Sequence, residues 1–386
     1  MKKQTQPRLG SKALMGAIMA FYGKRYFKKK VQLIEDGTLR KIKPPYILLA
    51  NHASIADVAG LARMMHPTTV ASFLSSPIQR THYGDILKLI GIIPKQQFQV
   101  TPSLVKEIKS VLDRGRPVVV YPEGKLSVDG TLNEIKPATA KLIKMLKVPI
   151  VTVRFDGNYL HNPRWSSEKH FLPLKATTKV IVTADECKTL SVDEIHSRVV
   201  ESLTFDDYKY QRENKISIKS DKLTNGIEGI LFRCPHCNSE FTIKGDGHQI
   251  VCTSCGEKHV MDEYGVLDGK FDGIVAWNTW QKQQIASEIA AEAPVINLPC
   301  KVEQMDGNKW SDLGNATFEW NNGAITVTCE NGKQFAYPSG MFYTTSYNNN
   351  YLNLPDTNGC VHLTFGQVGF PAKINLLVEE HFKQNN

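Results

Sequence analysis

Three groups of residues in this sequence have types and spacings that could do chemistry. The first is Asn51-His52-Ala53-Ser54-Ile55-Ala56-Asp57, directly after the apolar run Ile47-Leu48-Leu49-Ala50. It sets an imidazole at a strand end and a carboxylate five positions later, across the first turns of a helix. A histidine titrates near neutral pH, so it can take a proton from a hydroxyl as that oxygen attacks an acyl carbonyl. The carboxylate can hold the imidazole in one tautomer and stabilise the imidazolium that forms. The second group is Tyr121-Pro122-Glu123-Gly124-Lys125, which follows the apolar run Val118-Val119-Val120. Open α/β sheets bind ligands at the carboxyl ends of their strands. There Glu123 could bind an acceptor hydroxyl or brace the site, Gly124 would let the backbone approach closely, and Lys125 offers a cation for phosphate.

The third group is Cys234, Cys237, Cys252 and Cys255, in the pattern C-x2-C-x14-C-x2-C. Four thiolates suit tetrahedral zinc and leave no coordination position for water, so a structural zinc ribbon is expected over residues 230–262. His236 and His248 are read as bystanders. Cys187, Cys300, Cys329 and Cys360 show no paired spacing and are read as buried thiols.

Elements able to position these groups can be read along the chain. From residue 46 to about 202, short apolar runs alternate with helical patterns, which argues for an α/β layered domain over residues 44–205. Thr101-Pro102 and Ser191 with Glu194 are helix starts of the cap and capping-box kinds. A charged stretch, 206–229, reads as a linker, and a helical connector is expected over 263–294. After Pro294, alternating runs separated by Asn- and Gly-rich turns predict a small all-β domain, a barrel or sandwich, over 295–386.

Charge is uneven along the 386 residues. Residues 1–210 hold 33 Lys and Arg against 18 Asp and Glu, and residues 211–386 hold 14 against 20. Residues 1–43 alone have 12 basic and 2 acidic side chains, around an apolar stretch from Ala13 to Gly23 of only 11 residues. About 20 are needed to cross a bilayer, so this segment is expected to dock on an anionic membrane surface without crossing it. Nucleic acid is disfavoured as a partner because the ribbon lies in the acidic half. The apolar stretch runs into Lys24, Arg25 and Lys28-Lys29-Lys30 where a secretory signal would have a cleavage site, and the cysteines read as metal ligands more than disulfides. The expected location is cytoplasmic, peripheral to the cytoplasmic face of a membrane.

Taken together, four blocks over about residues 45–155 resemble the glycerolipid acyltransferases, the 1-acylglycerol-3-phosphate O-acyltransferase family. Asn51-His52 with Asp57 is similar to the family's N-H-x-x-x-x-D block, and Gly91-Ile92-Ile93-Pro94-Lys95 to its second block. Tyr121-Pro122-Glu123-Gly124 resembles its aromatic-P-E-G block, and Val148-Pro149-Ile150-Val151 its V-P-I-V-P block. The resemblance implies a mostly parallel sheet with flanking helices. It also implies acyl transfer from acyl-CoA or acyl-carrier protein to the hydroxyl of a lysophospholipid-like acceptor, with His52 as general base oriented by Asp57. Asn51, Lys95, Glu123, Gly124 and Lys125 would then bind substrate. Lys95 and Leu126 stand where the family usually has arginine, so guanidinium forks are replaced and the acceptor stays open. The competing reading is a catalytically degenerate lipid-binding scaffold with the ribbon as an interaction module.

Overall fold

The computed structural model describes residues 31–66, 68, 71–75, 92–95, 102–291, 294–306, 309–356 and 359–385, with only the backbone at 55, 71–75, 92–95 and 306. Residues 1–30, and with them most of the expected membrane-docking segment, lie outside the described residues. The chain divides into two compact units, Met1–Pro163 with Lys169–Ile216, and Arg164–Glu168 with Ser217–Asn386.

In the first unit the described strands are β1 (Leu33–Ile34), β2 (Ile47–Ala50), β3 (Ala71–Ser75), β4 (Ile92–Lys95), β5 (Val118–Val120), β6 (Ile150–Asp156) and β7 (Leu174–Val182). They form one sheet in the order β1-β7-β6-β2-β5-β3-β4. Strands β6, β2, β5, β3 and β4 run parallel, and β7 turns antiparallel to β6. Its described helices are α1 (Thr38–Lys41), α2 (Ile55–Met65), α3 (Pro102–Asp113), α4 (Pro137–Leu146), α5 (Asn158–His161), α6 (Glu186–Thr189), α7 (Val192–Leu203) and α8 (Asp207–Glu213).

The central strands are apolar throughout because both of their faces are covered. Alternate side chains of one strand feed opposite cores. Ile47, Leu49 and Val118 pack with Ile108 of α3, Ile143 of α4 and Val199 of α7, while Leu48, Ala50 and Val119 pack with Leu39 of α1 and Met64 of α2. Register then fixes what emerges together. Leu49 pairs with Val120 on one side and Thr152 on the other, so the chain leaves β2, β5 and β6 side by side at the carboxyl edge of the sheet.

The turn after β2 is held from both ends. The Asn51 Nδ2 donates to the Phe155 carbonyl at 2.9 Å and its Oδ1 accepts from the Phe155 N–H at 2.8 Å, which prolongs the pairing of β2 with β6 past the last residue of β2. Three residues on, Ser54 is the N-cap of α2, and a capping box with Asp57 starts that helix. Gly60 lets α2 lie close on the sheet, since a Cβ there would sit 2.9 Å from the Phe155 ring.

The expected linker at 206–229 is corrected at its amino end. Asp206 caps α8 by accepting from the Lys209 N–H at 2.9 Å, and the buried Asp207 carboxylate accepts from the N–H groups of Gly157 at 2.8 Å and Tyr159 at 2.6 Å. Burial pushes the Asp207 carboxyl up to about 8 despite these two donors. Composition hid the helix because its buried side, Asp207, Tyr208 and Gln211, is largely polar, while Lys209 and Glu213 face water.

The second unit starts with a three-stranded antiparallel sheet of β8 (Ile243–Asp246), β9 (Gln249–Cys252) and β10 (Lys258–Val260), followed by α9 (Ile274–Ala291). Then come β11 (Ile296–Asp306), β12 (Lys309–Asn321), β13 (Ala324–Cys329), β14 (Gln334–Tyr337), β15 (Ser346–Asn348), β16 (Tyr351–Asp356), β17 (Gly359–Phe365) and α10 (Phe370–Asn385). Strands β11 to β17 make one antiparallel sheet in the order β14-β13-β12-β11-β17-β16-β15, with β14 and β15 at its two edges. The expected barrel or sandwich is therefore corrected to a single sheet with a helix. The layer that a second sheet would supply is supplied by α10, whose Phe370 packs on Phe318 and Phe365 and whose His381 meets the Trp320 ring.

Asn51→Ala is expected to lower the stability of the first unit, since it leaves two buried backbone groups of Phe155 without partners at a cost of about 1–3 kcal/mol each. Thermal unfolding of the full chain measures this. A melting curve that superimposes on wild type would mean that the amide does not hold the turn.

Candidate active site and metal centre

The histidine and the carboxylate meet at the carboxyl edge of the sheet. The His52 Nδ1 lies 2.9 Å from the Asp57 Oδ2, which also accepts from the N–H groups of Ala53 at 3.0 Å and Ser54 at 3.3 Å. An ionised carboxylate only accepts, so Nδ1 carries the proton and the lone pair is on Nε2. Asp57 is fully buried, while the His52 side chain keeps 21% exposure, enough for a substrate to reach one edge of the ring. Tyr121 stacks on that ring, with centroids 4.2 Å apart.

Glu123 joins the two turns. Its Oε1 accepts from the His52 N–H at 2.7 Å, and its Oε2 accepts from the Asn133 N–H and Nδ2, both at 2.8 Å. The Ser127 N–H returns a bond to the His52 carbonyl at 2.7 Å. The peptide of His52 is thus clamped on both sides by the loop that follows β5. Gly124 has φ 72°, a left-handed conformation that lets this loop turn back so sharply.

Electrostatics follow from this packing. Burial by itself would pull the His52 imidazole below its ordinary value, but the charge of Asp57, its hydrogen bond and the charge of Glu123 outweigh burial and leave it raised. Burial pushes the Glu123 carboxyl up to about 7, against the pull of its N–H donors and of His52. Such an arrangement can accept a proton at Nε2 and hold the resulting imidazolium against Asp57.

The other expected substrate-binding residues divide. Asn51 is fully buried and both polar atoms of its amide are engaged with Phe155, so it shapes the turn. Lys125 is buried in the loop after β5, next to the partly exposed Leu126. Lys95 ends β4, and its backbone sits at the same edge of the sheet, opposite Ser75 of β3. Three strand spacings separate β4 from β2, about 14 Å.

Sequence reasoning missed three contributors. The Ser54-x-x-Asp57 capping box was legible as a pattern and would have placed Asp57 in the first turn of α2. Asn133 offers no signal, because a loop asparagine ten residues from Glu123 matches no local pattern. The stacking of Tyr121 on His52 depends on the parallel register of β2 and β5.

In the second unit the four cysteines converge. The Sγ atoms of Cys234 and Cys255 are 3.8 Å apart, as are those of Cys237 and Cys252, and all four lie within 4.8 Å of one another. A tetrahedron of thiolates at a Zn–S distance of about 2.3 Å has edges of about 3.8 Å, so the donor set has the size of a metal centre. Each pair is closed by a left-handed residue, Asn238 at φ 61° or Gly256 at φ 78°, whose N–H donates to the carbonyl of the first cysteine. The ribbon is anchored at its first knuckle. Arg233 pairs with Glu240 and with Glu288, its carbonyl accepts from Trp277 Nε1 at 3.0 Å, and Gln281 Oε1 accepts from the N–H groups of Phe232 and Arg233.

Residues 19–156 match the sequence model of the acyltransferase family. A Caenorhabditis elegans protein with the provisional name 1-acyl-sn-glycerol-3-phosphate acyltransferase is 24% identical over 179 residues, 45% of this chain and 64% of that protein. The chain therefore spans just under two thirds of that relative's length. The solved structure of PlsC, the 1-acyl-sn-glycerophosphate (LPA) acyltransferase of Thermotoga maritima, superimposes with a TM-score of 0.43 at 19% identity over 53% of this chain and 81% of that one. The matched segment contains the histidine, the carboxylate and the strut that joins them to β5, and over residues 19–156 the chain is similar to the acyltransferase family.

Proposed function

We propose that the protein transfers an acyl group from a thioester donor, acyl-CoA or acyl-carrier protein, to the hydroxyl of a lysophospholipid-like acceptor. The observation that carries this reading is the His52–Asp57 pair, with Nδ1 held by the carboxylate and Nε2 left for the acceptor. His52 takes the hydroxyl proton as the oxygen attacks the thioester carbonyl, the carbon–sulfur bond breaks, and the thiolate leaves and collects a proton. No covalent intermediate on the enzyme is required. An intact base, orienting acid and strut favour the enzyme over the degenerate scaffold. Lys125 and Lys95 are the proposed cations toward the acceptor's polar head. Residues 1–43 are proposed to dock the enzyme at the cytoplasmic face of a membrane, a reading supported by their 12 basic and 2 acidic side chains around the apolar stretch Ala13 to Gly23.

The zinc ribbon is part of the proposal. Zinc held by Cys234, Cys237, Cys252 and Cys255 would be structural, a fourfold thiolate cage with no site for water. The grip of Trp277, Gln281 and Glu288 on Arg233 ties the metal to α9. Its loss should destabilise the second unit beyond the ribbon.

The decisive assay offers the purified full-length protein each donor with a panel of lysolipids and weighs the products. His52→Ala should lower turnover by about 10²- to 10⁴-fold, with Asp57→Asn close behind, and wild-type turnover in the His52 variant would end this mechanism. The acid limb of the kcat/KM profile should lie above the ordinary histidine value of 6.5, with activity falling as pH drops through it, because only neutral imidazole accepts the proton.

Glu123→Gln is expected to lower stability and not merely KM. A carboxylate serves three N–H donors with two oxygens, and an amide turns one of those oxygens into a competing donor, at a cost of about 1–3 kcal/mol. The wild-type contribution also has a pH dependence. The carboxyl is raised in the fold from 4.5 to about 7, so its burial penalty is absent below 4.5 and grows as pH rises through 7. Melting temperatures at pH 5 and 8 should differ more for wild type than for the variant, and an unchanged melting temperature in Glu123→Gln would assign the residue to substrate.

Metal analysis of freshly purified protein should find one zinc per chain, and Cys252→Ser should release it and melt α9 and the β11–β17 sheet early. Protein without zinc would refute the ribbon.

A further inference from the structure

The second oxygen of the orienting carboxylate stands apart from everything derived so far. Asp57 Oδ2 takes three donors, but Oδ1 is buried and has no hydrogen-bond partner among the described residues. A buried, unserved carboxylate oxygen is costly and is rare in a folded interior. A group able to serve it belongs to Tyr121, beside the same imidazole. Its ring lies on the His52 imidazole, centroids 4.2 Å apart and 27° from coplanar. Its hydroxyl is close enough to Asp57 that the carboxylate's charge and hydrogen bonding join burial in holding the phenol well above its ordinary value. A phenol kept protonated beside a carboxylate is a donor.

We infer that Tyr121 is a positioning residue for acyl transfer: its hydroxyl donates to the open oxygen of Asp57 while its ring fixes the plane of the His52 imidazole. This rests on the acyl-transfer reading above for its functional meaning, though the side-chain linkage itself does not. The ring acts by contact, since a stacked aromatic limits rotation of the imidazole about its Cβ–Cγ bond. The hydroxyl acts on charge. A carboxylate that shares its charge with a second donor attracts an imidazolium less, so the hydroxyl lowers the basicity that Asp57 imparts to His52 and brings it back toward working pH. Phenylalanine would supply the stack without that correction. The tyrosine therefore adds a function that the aromatic position does not require.

Tyr121→Phe separates the two roles because it keeps the ring and removes only the hydroxyl. The variant should fold as wild type. In an NMR titration of the His52 imidazole, a readout that needs no turnover, its pKa should rise by roughly half to one unit, equivalent to about a three- to ten-fold loss of neutral imidazole on the acid side. The acid limb of the kcat/KM profile should move up by the same amount, with kcat at pH 6 falling several-fold more than at pH 8 and the acceptor KM little changed. A second variant, Tyr121→Leu, should lower kcat at every pH by loosening the ring. A His52 titration that superimposes in wild type and Tyr121→Phe would overturn the inference even if the protein proves active. A shifted titration in a protein without acyl transfer would keep the linkage and reject the enzymatic reading.

Discussion

A single carboxylate carries two obligations in this structure. Asp57 Oδ2 receives the His52 imidazole and, at the same time, the free N–H groups of Ala53 and Ser54 at the start of α2. The positive end of a helix is a favourable place for an anion, so the fold stabilises the charge that the site requires. The spacing of histidine and acid follows from this. With Ser54 as N-cap, Asp57 falls at the third helical position, where a capping-box side chain reaches back, and His52 lies two residues before the cap, where its ring can come over the same oxygen. Helix capping and histidine orientation share one acceptor atom, Asp57 Oδ2.

The rest of the first unit brings other chains to that point. Parallel pairing puts the ends of β2, β5 and β6 in register, and each end is joined to the next by a side chain that reaches a backbone. Asn51 carries the turn to β6, and Glu123 carries it to the loop after β5 and on to Asn133. None of these contacts touches a reacting atom. Their effect is to hold the His52 peptide on both sides, so that the proposed base is positioned without help from a ligand.

Much of this was legible from residue order, and the reasons differ by element. The apolar runs at 47–50 and 118–120 announced doubly covered strands, and the cysteine spacing announced a four-thiolate cage, because both signals are local. Polar residues at strand ends commonly face a ligand, which is the reading their positions suggest for Asn51 and one of two for Glu123, the other being a brace. Their use as struts depends on partners 104 and 71 residues away, which no local pattern encodes. The carboxyl-terminal region read as β throughout since alternation dominates it. Helix α10 was overlooked although its apolar residues, Phe370, Ile374, Leu377 and Val378, have helical spacing. The charged α8 reads as a linker from sequence because its buried side includes an aspartate whose partners are backbone N–H groups of another segment.

The account stands on the claim that Asp57 fixes His52 in the tautomer with the proton on Nδ1. Nitrogen NMR of the protein labelled at histidine, recorded above the His52 pKa, observes that directly. The account predicts a protonated Nδ1 and a bare Nε2 for His52 in wild type, and loss of that preference in Asp57→Asn. A neutral ring with its proton on Nε2, or a mixture like that of free histidine in wild type, would contradict it.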